Sequence, residues 1–379
     1  MTPMKFCLFC ILLHLARRAS VCLVLVLPLF ALQAAAADVA GLYQASVTVT
    51  SRDDERQRQQ GFTSALREIL IKLTGRVDTN ANPVIARALA APQPYVETWA
   101  YNSIDPDVAA LAGEAVQISL QITFFQDGIQ QLLNEASIAV WPQNRPDTLL
   151  WVAVQDELGE RFLAQPAPAE GGDLLSALQS SAEKRGVPLL LPLLDFQDLR
   201  ALPLEQLWNF DIEALRLASA RYQNDSILAL RVFRSLRGDV IAKAVYIFRD
   251  RVLEFEALES PLEPFLDSSI DMAAQELAGY YAILLSGVDN STEVLLTVDG
   301  IRNLTDYSGL LQYLGNLAVV NSVQLLGADG STVQLQLRTG GQFRQLIESI
   351  ALDRRMNAIG DVSRREQQIF MHYQWLLQP

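Results

Sequence analysis

Hydrophobic and polar positions alternate most cleanly over residues 116–124, where Val116, Ile118, Leu120, Ile122 and Phe124 face one way and Gln117, Ser119, Gln121 and Thr123 the other. A period of two puts successive side chains on opposite faces of a pleated strand, so this segment reads as a half-buried strand. The same pattern runs earlier, with Tyr43, Ala45, Val47 and Val49 against Gln44, Ser46, Thr48 and Thr50. Between the two, Asp53 and Asp54 stand where a helix N-terminus favours acidic groups. Phe62, Ala65, Leu66, Ile69, Leu70 and Leu73 then recur at helical spacing up to Gly75, which predicts a long amphipathic helix. Residues 79–107 are rich in Asn, Pro and Ala and show no such period. A short helix over 126–134 and a strand over 138–141 complete a first α/β unit, closed by turn formers between Pro142 and Pro146.

The apolar run 149–154 opens a second unit, and a linker-like stretch over 165–172 follows it. The pattern then predicts a helix over 174–184, an apolar strand over 187–194, and helical segments over 204–208 and 212–222. Strands are expected over 227–233, 240–248 and 252–257, with Arg237-Gly238-Asp239 as the turn between the first two. Leu266, Ile270, Ala273, Leu277, Tyr280 and Leu284 form a helical stripe that ends at Gly287. Asp267, Asp271 and Glu276 rule that helix out as a membrane span.

The last ninety or so residues read as βαββαβ. A strand over 294–298 and a helix over 306–314 precede a hairpin turning at Gly327-Ala328-Asp329-Gly330. A helix bearing Phe343, Leu346, Ile347 and Ile350 leads into a final strand with Ile369, Met371, Tyr373 and Trp375 on one face. The fold class is thus α/β and α+β: several domains with mixed sheets and a C-terminal ferredoxin-like unit. The expected boundaries are a signal peptide over 1–37, an N-terminal domain over 38–145, a middle domain over 146–290 and a C-terminal domain over 291–379.

The signal is read from Lys5, Arg17 and Arg18 without any acidic residue, the apolar run 21–32, and the small residues before Asp38. That run is shorter than the twenty or so apolar residues a spanning helix needs. Cleavage is expected after Ala37, giving an exported, periplasmic protein with no integral membrane segment. Cys7, Cys10 and Cys22 all lie within the signal, so the mature chain has no disulfide and rests on its packed cores. The formal net charge is −13, and losing three basic residues with the signal makes it more negative. Such a surface repels phosphate backbones, so no nucleic-acid partner is expected, and envelope proteins are the expected partners.

Several chemistries are excluded by residue type. His372 is the one histidine outside the signal, placed on a surface or edge strand, so neither a His/Cys zinc site nor a His-x-x-x-His protease can be built. There is no Gly-x-Ser-x-Gly elbow and no glycine-rich phosphate loop, and no cofactor is expected. Asp195 and Asp198, just past an apolar strand, are the candidate acid–base or cation-holding pair. The structural alternative makes Asp198 a cap of the segment 199–207 and pairs Asp195 with an amide or an arginine. Arg231, Arg234 and Arg237, with Arg249 and Arg251, form a candidate basic surface for an acidic partner. Tyr95, Trp99 and Tyr101 form a candidate glycan-stacking strip or ligand pocket, or else a plug for the core.

Residues 61–75, Tyr95-Val96, Arg145-Pro146 leading to Leu150-Trp151-Val152-Ala153, the string from Arg185 to Asp195 with Asp198, and Ala218-Ser219-Ala220-Arg221-Tyr222 resemble the DUF2066 family, exported proteobacterial proteins with a domain of unknown function. The resemblance covers most of the mature chain and implies a gammaproteobacterial periplasmic protein without assigning an activity. In pattern alone, the middle unit is similar to the amino-terminal domain of TolB-type envelope proteins. The function expected from all of this is a non-catalytic envelope adaptor or scaffold. The alternatives are a cell-wall-directed enzyme or cation-dependent binder using Asp195 and Asp198, and a small-ligand receptor near residues 95–101.

Overall fold

The strand that alternates most cleanly lies at the centre of the first sheet. The computed structural model describes residues 37–39, 41–78, 81–103, 118–166, 168–169, 171–235, 240–258, 261–284, 292–340, 343–353, 355–365 and 368–376. The signal peptide expected over 1–37 therefore lies, but for Ala37, outside the described residues. Strands β1 (Ala37–Asp38), β2 (Gln44–Val49), β3 (Val96–Ser103) and β4 (Ile118–Phe124) open the chain, and β2-β4-β3 form an antiparallel sheet. Helix α1 (Glu55–Thr74) packs across it, with Phe62, Leu66, Ile69, Leu70 and Leu73 buried against Leu120 and Ile122. Asp54 caps its start by accepting from the amides of Arg56 and Gln57, and Gly75 ends it in the left-handed conformation at φ 64°. Gly61 lets the helix close on the sheet: a Cβ there would lie 2.8 Å from Leu120 Cδ2.

Two local expectations change in this unit. Residues 79–107 contain helix α2 (Pro83–Ala90), started by the Asn82 side chain and by Pro83 in the first turn, as well as β3. Helix α3 (Gln126–Glu135) forms as expected. The strand expected over 138–141 is one bridge residue, Val140, which exchanges both backbone bonds with Ile283 at 2.8 Å. Its neighbour Trp141 instead donates its amide to Leu73 O at the end of α1, 2.7 Å away.

The middle sheet runs β11-β10-β9-β6-β7, with β8 also on β6. Its strands are β6 (Thr148–Gln155), β7 (Arg161–Leu163), β8 (Leu189–Leu190), β9 (Ser226–Arg234), β10 (Val240–Phe248) and β11 (Arg251–Leu258). β6 is apolar on both faces because both are covered. Leu150, Val152 and Val154 meet α4 (Gly172–Arg185) and the helix α8 (Glu263–Tyr281). Leu149, Trp151 and Ala153 meet the helices α6 (Leu204–Trp208) and α7 (Ile212–Ser219). Residues 187–194 pair with β6 at β8, beside which the Thr148 amide donates to Pro188 O at 2.9 Å, and Pro192, which has no N–H, does not extend the ladder. Helix α5 (Phe196–Ala201) follows, ahead of the helical segments that the pattern predicts over 204–208 and 212–222. Helix α8 ends at Ala282, and Gly287 lies outside the described residues, as does the turn at 237–239.

The C-terminal sheet contains β12 (Thr292–Asp299), β13 (Val320–Asp329), β14 (Thr332–Thr339), β15 (Met356–Ala358), β16 (Ser363–Arg365) and β17 (Gln368–Trp375). Helices α9 (Leu304–Asn316) and α10 (Phe343–Asp353) cover it. The order β13-β14-β12-β17 carries the expected βαββαβ succession, but β17 runs parallel to β12, where the fourth strand of a ferredoxin-like sheet is antiparallel to the first; β15, antiparallel to β17, takes that direction at the edge, and β16 also pairs with β17. The chain is thus a multi-domain α/β and α+β protein with mixed sheets.

One side chain ties the first unit to the second. β5 (Asn144–Arg145) pairs with β1 and carries Arg145, which is fully buried. Its guanidinium donates to the carbonyls of Pro142 (2.9 Å), Arg185 (3.4 Å), Gly186 (2.6 Å), Lys72 (2.8 Å) and Trp141 (3.2 Å), and it lies 3.9 Å over the Trp141 ring. Lys72 and Gly186 belong to the C-terminal ends of α1 and α4, where carbonyls lack helical partners and the dipole favours a cation. Burial pushes the Arg145 pKa down to about 9, which still leaves it charged at neutral pH. Gly186 sits at φ 64°, and a Cβ there would overlap the guanidinium. Arg145→Ala is expected to lower stability by about 3 kcal/mol or more, because it orphans buried carbonyls at two helix ends. Arg145→Lys should recover little, since one ammonium cannot span both ends. The midpoint of urea unfolding followed by circular dichroism measures both.

Candidate functional site

The geometry around Asp195 and Asp198 begins with a left-handed residue. Leu194 has φ 53°, a conformation that costs a side-chain-bearing residue free energy and must be held by its surroundings. Asp198 holds it: the Leu194 amide donates to Asp198 Oδ2 at 2.9 Å. The next residue, Asp195, caps α5 by accepting from the Asp198 amide at 3.0 Å. Arg221 then joins the two carboxylates. Its Nη1 lies 2.8 Å from Asp195 Oδ1 and 2.9 Å from Asp198 Oδ1, and its Nη2 lies 3.0 Å from Asp195 Oδ2. Tyr222 donates its hydroxyl to Asp198 Oδ2 and accepts the Leu193 amide at 2.8 Å. The Tyr222 ring meets Trp151 edge-on, and Trp151 Nε1 donates to Ser219 Oγ at 3.0 Å.

Each atom of this group has a structural task. Asp198 is fully buried, and both of its oxygens are engaged. The Arg221 guanidinium holds the Asp195 carboxyl down to about 2, helped by the Asp198 amide, and Asp195 in turn raises Arg221. Burial, then the bond to Asp198, pushes the Tyr222 hydroxyl up to about 12. The sequence placed the cap at Asp198; the structure gives it to Asp195 and buries Asp198 in the first turn of the helix. The two carboxylates do converge, but on a shared arginine nitrogen. What the arrangement does is clamp the loop 191–195. Arg221 and Tyr222 were in view only as part of a familiar string, because twenty-three and more residues separate them from their partners.

The clamped segment presents apolar side chains outward. Leu193, Phe196 and Leu199 are 60%, 80% and 49% exposed. Leu199 borders an apolar groove of about 540 Å³ with Phe162, Leu163, Leu194 and Leu204. β7, which carries Phe162 and Leu163, is the edge strand of the middle sheet.

The arginine candidates do not form one surface. Arg231 and Arg234 are three residues apart on β9 and so lie on opposite faces of the sheet. Arg231 donates to Trp208 O at 3.0 Å and stands between the Trp208 and Phe210 rings. Arg234 borders a separate pocket of about 300 Å³ beside Val154 and Leu174. Arg237 lies outside the described residues. Arg249 pairs with Glu348 at 2.6 Å and Arg251 with Glu276 at 2.7 Å. The aromatic candidates also divide. Tyr95 and Tyr101 pack against the N-terminal core, and Trp99, 45% exposed under the Arg58 guanidinium, meets Tyr101 edge-on at 5.5 Å and Phe62 at 6.3 Å between ring centres. His372 lies on β17, an interior strand and not an edge, and bonds Asp299 at 2.8 Å. Among the described residues no group of three or more His, Cys, Asp or Glu side chains is placed to hold a metal ion.

The Asp195–Arg221 pair sets an acid limb. In the unfolded chain the Asp195 carboxyl returns to its ordinary 3.8, so between there and about 2 the unfolded state binds more protons and stability falls as pH drops. Asp195→Asn is expected to shrink the difference in urea midpoint between pH 5 and pH 3 relative to the unchanged chain. An undiminished difference would mean that the pair contributes nothing.

A family model described as a domain of unknown function, DUF8605, matches residues 36–142, which run from the first strand to the turn before Arg145. No curated protein matches the chain.

Proposed function

We propose that this chain is an exported periplasmic protein, non-catalytic, that serves as an envelope adaptor by binding partner proteins at the groove beside β7. The observation that carries this reading is the clamp. Two carboxylates, an arginine and a tyrosine are spent on holding one short loop, and that loop exposes Leu193 and Phe196 and leads to Leu199. Burying these side chains is favourable by roughly 25 cal/mol per Å² of apolar surface, so a fold that holds them in water favours a partner that covers them. The open edge of β7 suits an extended apolar segment of that partner, which would add a strand and drop alternate side chains into the groove. The amino-terminal pattern of Lys5, Arg17, Arg18 and residues 21–37 supports export, and the strings resembling the DUF2066 family support a gammaproteobacterial periplasm. Among the described residues, no helix is long and apolar enough to cross a membrane. The runner-up, an enzyme or cation-dependent binder using Asp195 and Asp198, needs carboxylates free to meet a substrate, and Arg221 occupies both.

The test places a photocrosslinking residue at Phe196 and, as a control, at Leu304, which is 79% exposed on α9. The expected result is one partner crosslinked from position 196 and not from 304, competed by a peptide of that partner and lost in Leu204→Glu with unchanged circular dichroism. Crosslinks that ignore the groove substitution, or a turnover activity abolished by Asp195→Asn in a folded protein, would overturn the reading.

A further inference from the structure

A second cavity, of about 520 Å³, lies where the N-terminal sheet unit meets the C-terminal unit, far in sequence from the groove. That volume is in the range of small-ligand sites, which favour junctions between domains. Its wall is of mixed origin. Tyr43 and Gln130 come from the first unit, Trp141 and Asn144 from the segment around the Arg145 junction, and Tyr313 and Asn316 from α9 and its flank.

The chemistry of the wall is neutral and two-sided. Gln126, Gln130, Gln143, Asn144 and Asn316 supply carboxamides, each of which both donates and accepts. Gln130 Nε2 reaches the Tyr43 hydroxyl at 3.3 Å, and Asn144 Nδ2 reaches Ser349 O at 3.3 Å, which orients the two amides. The charged lining residues, Asp353 and Arg355, form an ion pair at 3.1 Å and so present little net charge. Three lining residues have buried donors without a hydrogen-bond partner among the described residues, Trp141 Nε1, Tyr313 Oη and Arg355 Nε, but these atoms are closed off behind the wall, so the carboxamides carry its polar chemistry. A ligand that suits this wall has many groups able both to donate and accept, carries no charge, and has apolar ring edges to set against tyrosine. Hydroxyl-bearing rings meet all three demands.

We propose that this cavity binds a neutral saccharide of one or two rings. The amides of the first unit and of α9 grip its hydroxyls from opposite sides, so binding also draws the N-terminal and C-terminal units together.

Saturation-transfer NMR on the folded protein, with glucose, galactose, mannose, N-acetylglucosamine, maltose and chitobiose as probes and alanyl-alanine as the neutral peptide control, tests the proposal. Saturable binding of at least one saccharide is expected, weakened by about tenfold or more in Ala318→Trp, where an exposed residue of the wall is enlarged to fill the space. Gln130→Ala, which removes a donor without adding bulk, is expected to weaken the same saccharide and is decisive if Ala318→Trp disturbs the melting temperature. Absence of binding by every saccharide, binding unchanged in the folded variants, or binding of alanyl-alanine alone would overturn it.

Discussion

A guanidinium bonded wholly to main-chain carbonyls holds the two halves of the α/β assembly in place. Among the described residues no carboxylate accepts from Arg145; its charge is met by carbonyls at the ends of α1 and α4, with the Trp141 ring beneath it. Both helix ends carry partial negative charge, and both would otherwise hold unpaired acceptors in a dry junction. The rigid fork of arginine answers both at once, which a point charge on a flexible stem does not. The rest of the interface follows from this placement. Gly186 must lack a side chain for the guanidinium to fit. Gly75 must lack one for α1 to end against Ala274 and Ala278 of α8. Trp141 is fixed by its amide bond to Leu73, and Val140 is thereby positioned to bridge Ile283.

Arg221 shows the opposite use of the same side chain. It is paired with charge, sits nearer the surface at 26% side-chain exposure, and stabilises a loop instead of a junction. Its partners fix Leu194 in a left-handed turn that would otherwise be strained. The buried arginine therefore sets how the units meet, and the paired one sets which apolar side chains meet solvent. Both arrangements engage their charged groups within the molecule.

The legible part of the fold was that governed by local periodicity. The alternation over 118–124 and 43–50, the stripe from Phe62 to Leu73 with its aspartate start and glycine stop, and the βαββαβ order at the C-terminus all translate directly into elements. Where composition spoke against pattern, composition decided: in an eight-residue apolar run, Pro192 does not extend the ladder beyond a two-residue strand. The short helix α2 carries its signal in Asn82 and Pro83 and is too brief to show a helical period. The basic surface dissolved by parity, since Arg231 and Arg234 sit an odd number of residues apart on one strand. The cavity was beyond sequence altogether, because its wall is assembled from segments up to three hundred residues apart.

Within residues 185–199 the division of labour can be argued position by position. Gly186 makes room for Arg145; Pro188 O accepts from Thr148 on β6; Pro192 cannot extend the ladder; Leu194 turns the chain; Asp195 and Asp198 secure the turn. Each of these residue types is explained by a contact inside the molecule. Leu193 and Phe196 are different: their backbones are placed by the clamp, yet their side chains stand largely in water. Nothing in the packing asks for an apolar residue at either place, and a polar one would serve solubility better. Among the described residues these two are the apolar side chains of the segment that the proposed partner would cover.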